Sequence, residues 1–287
     1  MPSMTIDIHT HPVFFEPISE NQEELEFRRE ILGLYKHGKA PLQHIFNQMK
    51  CAGLDKIILL PLDLTSLHEG AVVSNEQIRK LVDLSPDKFI GFASIDPYRE
   101  DALEVLEYAF TELKLSGLKL HPSRQQFYPY EAFLKPIYEM CINHKKPIMF
   151  HAGISWGREA LSKYARPILF EEVASRYPKL KICLAHFGWP WVKETAALLL
   201  KYTNVYADTA LLYFDSAKEF YKHVFTKELE MTWIDRSLRH QVMFGSNNPR
   251  FEQIRMLDAL GKIGFRDSTL ELIRGKNALE FLGMEGD

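Results

Sequence analysis

Short, almost continuously apolar runs recur along the chain at 6–9, 56–63, 89–96, 117–121, 147–151, 181–186, 204–208 and 242–247, each closing on a polar residue. Runs apolar on both faces fit parallel strands covered by helices. Between them, Leu103, Leu106, Phe110 and Leu113 recur at close to helical spacing, and 133–142 and 168–176 repeat that period, so these segments predict helices. Asp101 and Glu131 stand where acids favour a first helical turn. Strand alternating with helix implies parallel βαβ units, and eight of them imply an α/β protein closed as a (β/α)8 TIM barrel. An open doubly wound sheet would place a glycine-rich turn after its first strand, and none stands here.

No linker, repeat or low-complexity tract divides the sequence, so 1–287 reads as a single domain. Its longest irregular stretch, 12–41, holds an acidic helical piece at 20–34. Two readings stand: a lid over the site, or a solvated surface helix. The formal charge of −3 gives no electrostatic reason to expect nucleic acid or an anionic membrane as partner. No apolar run approaches the roughly 18 residues that a bilayer span needs. The first residues lack the basic and apolar regions of a signal peptide. Cys51, Cys141 and Cys183 are scattered, form no C-x-x-C pair and read as reduced core residues. Together these features set the expectation of a cytoplasmic protein acting on a small-molecule substrate.

The polar residues that end the runs carry the chemistry. Ile6-Asp7-Ile8-His9-Thr10-His11 places two histidines one residue apart. Strand alternation puts His9 and His11 on one face and Ile6 and Ile8 on the other. Asp63, Asp96, His121, His151, His186, Asp208 and Asn247 end the later runs, and Lys119 shares a face with His121. In a barrel these ends converge on the active-site face. Four strand ends that supply histidine suggest a metal centre. Asp208 reads as a partner that orients a histidine, and Asp63 and Asp96 as structural residues. Arg124, Tyr128, Trp156, Arg158, Trp189, Trp191 and Arg250 lie in loops beyond the ends, where cations suit a carboxylate and tryptophans a ring.

Asp7-Ile-His9-Thr-His11, Lys119-Leu-His121-Pro122, Phe150-His151-Ala-Gly153, Leu184-Ala-His186-Phe-Gly188, Phe244-Gly-Ser-Asn247-Asn-Pro249 and the closing Ile273-Arg-Gly-Lys-Asn277-Ala-Leu-Glu-Phe-Leu282 resemble the amidohydrolase superfamily. The resemblance is to its amidohydrolase-related branch, which includes the aminocarboxymuconate-semialdehyde decarboxylase type, and it runs the length of the chain. It implies a TIM barrel of the metal-dependent hydrolase type with one divalent metal, zinc or manganese. His9, His11 and His151 would be ligands, with Asn247 as the fourth. His186 would be the catalytic proton shuttle beside metal-bound water, and Asn247 would share the catalytic position. Lys119, His121, Arg124, Trp156 and Trp189 would face substrate, and a homodimer follows by analogy.

One departure stands out. The branch usually has aspartate where this chain has Asn247, and an amide offers a carbonyl oxygen but no general base. The primary expectation is hydrolysis of a small carboxylated or cyclic amide, lactone or ester. The alternatives are non-oxidative decarboxylation of an aromatic or unsaturated acid, and a degenerate barrel that binds a small molecule without turnover. A metal nuclease of the TatD type also opens on His-x-His. It calls for a basic groove that this charge balance does not supply.

Overall fold

The computed structural model describes residues 4–68, 70–210 and 214–284. All eight apolar runs contribute to one parallel barrel. Its strands are Ile6–Thr10, Lys56–Leu59, Phe89–Gly91 continued by Ala93–Ser94, Leu118–Leu120, Ile148–Phe150, Ile182–Leu184, Val205–Asp208 and Val242–Met243. Each pairs in parallel with its neighbour in chain order. The eighth closes on the first through Ile8 N–H to the Phe244 carbonyl (3.0 Å), Asn247 N–H to the His9 carbonyl (2.9 Å) and His11 N–H to the Asn248 carbonyl (2.7 Å).

Side chains from seven strands fill the interior, among them Ile6, Ile8, Ile58, Leu60, Phe92, Met149, Cys183, Tyr206 and Met243. Lys119 stands opposite Met149 in the strand register and is buried with them. The helix Asn277–Leu282 adds Ala278, Phe281 and Leu282 to this cluster, and Tyr206 donates its hydroxyl to Glu280 (2.9 Å). Gly275 makes that closure possible, since a Cβ there would lie 1.8 Å from the Met4 carbonyl.

The strands end sooner than their apolar runs. Run 56–63 leaves the barrel at Leu59, just before Pro61, and Leu62–Asp63 pairs antiparallel with Ala71–Val73 in a small hairpin. The predicted helices are present as Ala102–Thr111, Lys135–Asn143 and Glu171–Arg176, the last two each entered through a 3₁₀ turn. Cys141 and Cys183 are buried, whereas Cys51 is exposed, which corrects its reading as a core residue. It lies at the end of the helix Leu42–Ala52, whose buried positions are Ile45 and Met49. No described helix is long and apolar enough to cross a membrane.

Within 12–41, the helix Gln22–Leu32 starts on the Asn21 side chain and stops at Gly33 (φ 63°). It is not merely a solvated surface helix. Leu25 and Arg28 are buried, and Arg28 donates to the carbonyls of Val72 (2.8 Å), Ile18 (2.8 Å) and Val13 (3.1 Å). These bonds fix the helix against the loops after the first strand and the hairpin.

Candidate active site

The first strand does not alternate strictly through His9 and His11. Ile6 pairs with Lys56 and Asp7 with Ile57, but Thr10 pairs with Leu59, so the first strand carries one extra residue as a bulge. Ile6 and Ile8 therefore point into the barrel interior, and past the bulge His9 and His11 point inward as well. Asp7 faces away and is fully buried. It accepts from Ser246 Oγ (2.5 Å), Ser246 N–H (2.9 Å), Gln253 Nε2 (2.7 Å) and His9 N–H (3.0 Å). It thereby welds the bulge to the segment that presents Asn247. Sequence reading missed this role. The signal was an acid at the centre of an otherwise apolar strand.

One cavity of about 60 Å³ opens at the C-terminal ends of the strands. His9, His11, Lys119, His121, Arg124, His151, Trp156, His186 and Asn247 all line it, so nearly the whole expected site is brought together. Val13, Leu32, Leu34, Leu60, Leu62, Val72 and Val73 form its apolar wall, and Arg250 and Ser155 complete it. Among the described lining residues there is no carboxylate. Trp189 is not among them. Its ring packs edge-on against Phe214 (centroids 5.4 Å), and its carbonyl accepts from Ile154 N–H (2.9 Å). Asp63 and Asp96 hold loop backbone, accepting from Thr65 N–H (3.0 Å) and Ser66 N–H (2.8 Å) respectively. Gln125, also missed by sequence reading, accepts from His121 N–H (2.8 Å) and donates to the carbonyls of Asp63 and Ile95.

The hydrogen bonds assign the ring tautomers. His9 Nδ1–H donates to Asp208 Oδ2 (2.7 Å), which leaves Nε2 a bare lone pair. His9 Nε2 and His11 Nε2 face each other at 3.2 Å. His151 Nε2 is buried without any partner. Three Nε2 atoms thus converge on the cavity: that of His9 without a proton, that of His11 facing it, and that of His151 without a partner. Neutral imidazoles converging on one point, one of them oriented by a carboxylate on its far nitrogen, are the donor set that zinc or manganese takes, so the residues fit a divalent ion.

His121 differs. Its Nδ1 accepts from Arg124 N–H (3.3 Å), so the neutral ring carries its proton on Nε2 and presents a donor rather than a ligand. His186 Nδ1–H is directed at the Ala210 carbonyl (3.3 Å), leaving Nε2 as an acceptor. Burial holds all five rings well below the ordinary histidine range, so each is neutral at pH 7. Lys119 Nζ is buried without a hydrogen-bond partner, and burial pushes it down to about 8. Ligand atoms of His9, His186 and Asp208 also lie within 4.8 Å of one another. Both Asp208 oxygens, however, already accept N–H bonds.

At the rim, Arg124 donates to the Ile31 carbonyl (2.6 Å) and the Trp156 carbonyl (3.1 Å). Arg250 donates to the Leu32 carbonyl, its guanidinium 5.7 Å from the Trp156 ring centroid. Two arginines thus hold the C-terminal turn of the helix Gln22–Leu32 against the cavity.

A family model described as amidohydrolase matches residues 6–284. The chain belongs to the amidohydrolase family. Within this family, it is 25% identical over 130 residues to the 2-amino-3-carboxymuconate-6-semialdehyde decarboxylase of Dictyostelium discoideum. That match takes in 40% of this chain and 36% of the relative. A TIM-barrel protein of Bordetella bronchiseptica superposes with a TM-score of 0.77 at 19% identity, over 99% of this chain and 100% of the other. A dihydroxybenzoic acid decarboxylase of Polaromonas sp. JS666, solved with manganese and 2-nitroresorcinol, gives 0.69 at 16% identity, over 99% and 98%. The amidohydrolase barrel expected from the strand ends is therefore this chain's fold.

Proposed function

We propose that this chain is a metal-dependent carboxy-lyase that removes CO₂ from a small aromatic or unsaturated carboxylic acid. This replaces hydrolysis, the primary expectation from sequence. The observation that carries it is the lining of the cavity: five histidines, Lys119, Arg124 and Arg250, with no carboxylate among the described residues. Such a wall suits an anionic substrate. Asn247 cannot act as a general base towards activated water, which would leave hydrolysis to His186 alone. Decarboxylation needs an electron sink and a returned proton instead. The Dictyostelium and Polaromonas relatives, both named decarboxylases, support the same reading.

His9, His11 and His151 would hold the ion through Nε2, with the Asn247 carbonyl as a further donor. A bound divalent ion would act as a Lewis acid towards the substrate's oxygens. Lys119 faces the acid as a fixed cation, and His121 Nε2–H offers it a hydrogen bond. The bond from ring or vinyl carbon to the carboxyl carbon breaks with its electron pair staying on the substrate. CO₂ leaves, and one proton replaces it on that carbon. His186 Nε2 takes up that proton from solvent and delivers it to the vacated carbon. The apolar wall of Val13, Leu32, Leu34, Val72 and Val73 excludes water from the other face.

The test is turnover by manganese- and zinc-loaded protein on two panels, hydroxybenzoates with carboxymuconate-type acids against lactones and N-acyl amides. Activity confined to the first panel is expected. Activity confined to the second would overturn the reading.

A further inference from the structure

Asp208 is not among the residues that line the cavity, yet both of its oxygens act on site histidines. Oδ2 accepts the Nδ1–H of His9 at 2.7 Å. Oδ1 accepts the backbone N–H of His186 at 2.7 Å and that of Ala210 at 3.0 Å. The backbone at His186 is left-handed (φ 60°, ψ 23°), as is that of Phe187 (φ 48°, ψ 25°). Residues other than glycine hold that conformation only where surrounding contacts enforce it. Gly245 brings the pieces together, because a Cβ there would lie 2.9 Å from His9 Cβ and 3.3 Å from Asp208 Cβ.

We propose that Asp208 is a positioning residue that sets two site histidines with one carboxylate, fixing His9 in the Nδ1–H tautomer and holding His186 in its left-handed turn. An ionised carboxylate can only accept, so the His9 proton is confined to Nδ1 and Nε2 is left bare to face His11 and the cavity. The same carboxylate draws in the His186 amide, which aims that ring between His9 and His151, at centroid distances of 4.7 and 4.9 Å. Geometry separates this role from direct ligation. An ion bridging His9, His186 and Asp208 would have to displace the His9 bond, whereas one held by Nε2 atoms leaves it intact. The metal half of the inference rests on the centre proposed above; the tautomer and the turn do not.

The experiment is ¹⁵N-resolved NMR of the His9 ring in the full chain, first without metal and then during titration with zinc. In the wild type, the expected result is a protonated Nδ1 whose hydrogen-bonded proton signal persists once zinc binds. A protonated Nε2 in the metal-free protein, or loss of the Nδ1 proton on zinc binding, would overturn the proposal. Asp208→Asn extends the test, because its amide donates towards His9 and drives the proton to Nε2. Zinc affinity is expected to fall about tenfold or more, and exchange of the His186 amide to quicken. Asp208→Glu is expected to restore the Nδ1–H tautomer in part. An Asp208→Asn protein that keeps that tautomer and binds zinc within twofold of wild type would contradict the proposal. If Asp208→Asn does not fold, the wild-type spectra still decide. If no zinc binds at all, the metal-free spectrum decides the tautomer while the proposed centre fails separately.

Discussion

The imidazoles of His121 and His151 stack with centroids 3.9 Å apart and planes 10° from parallel. His151 Nε2 is buried without a partner and His121 Nε2 carries the proton, so two adjacent, nearly parallel rings are set for different duties. His151→Gln is expected to lower metal affinity by at least about tenfold. His121→Phe keeps the stacking surface and is expected to leave metal content within about threefold while activity falls by about 10²-fold. Metal content per chain, measured beside turnover, separates the two.

Asn247→Asp restores a carboxylate to the rim of the centre. The added negative charge is expected to raise affinity for zinc about tenfold and to introduce lactone hydrolysis, because a carboxylate base then stands beside activated water in addition to His186. Chelator competition measures the first effect and a lactone panel the second. Unchanged affinity with no new hydrolysis would mean that residue 247 does not face the metal.

Arg28 supplies the main polar anchor of the helix Gln22–Leu32 through its bonds to the carbonyls of Val72, Ile18 and Val13. Arg28→Met leaves those buried carbonyls without their donor and is expected to cost about 3 kcal/mol of stability. Urea unfolding of wild type and variant gives the number directly.

A cavity of about 60 Å³ is smaller than the roughly 150 Å³ that accommodates benzene. The helix end held by Arg124 and Arg250 is therefore expected to yield when a ring is fully enclosed. Hydrogen exchange over residues 30–36 is expected to change on addition of 2,6-dihydroxybenzoate, and Arg124→Ala is expected to speed exchange there without ligand. Exchange indifferent to both would show that the segment is not a lid.

Metal-free protein is expected to lose stability on acidification. The five buried histidines bind protons in the unfolded chain near pH 6.5 but resist them when folded. The unfolded state therefore binds more protons below pH 6.5, and each ring contributes a loss of about 1.4 kcal/mol per pH unit there. Asp7 and Asp208, whose carboxyls burial pushes up, act in the opposite sense but are fewer. Lys119 carries a separate cost. Its fall from 10.5 to about 8 amounts to about 3 kcal/mol, felt in full below pH 8 and fading towards pH 10.5. Lys119→Met should accordingly stabilise the metal-free protein at pH 7, and thermal unfolding across pH checks both signs.

The barrel was legible because each buried parallel strand is a short apolar run, and the run's last polar residue marks the face where chemistry occurs. His9, His121, His151, His186 and Asn247 were found by that rule, and strand alternation added His11 and Lys119. It does not report local register. The bulge between Asp7 and Thr10 breaks the alternation that was used to orient His9 and His11, and no residue type in Ile8-His9 announces it. Contacts between distant segments were equally hidden. The grip of Arg124 and Arg250 on the carbonyls of Ile31 and Leu32 uses backbone acceptors, which every residue has, so no motif marks it. Trp189 was expected to face substrate because tryptophan suits a ring, but the same ring packs against Phe214.

The most direct test of a carboxy-lyase follows both the lost carbon and the proton that replaces it. Metal-loaded protein in D₂O is given a hydroxybenzoate labelled with ¹³C at the carboxyl group, and headspace and product are analysed by mass spectrometry. The expected result is ¹³CO₂ released one-for-one with an unlabelled phenol carrying a single deuterium at the vacated carbon, and loss of both when His186 is replaced by asparagine. Label retained in the acid, together with opening of lactones by the same preparation, would contradict the account.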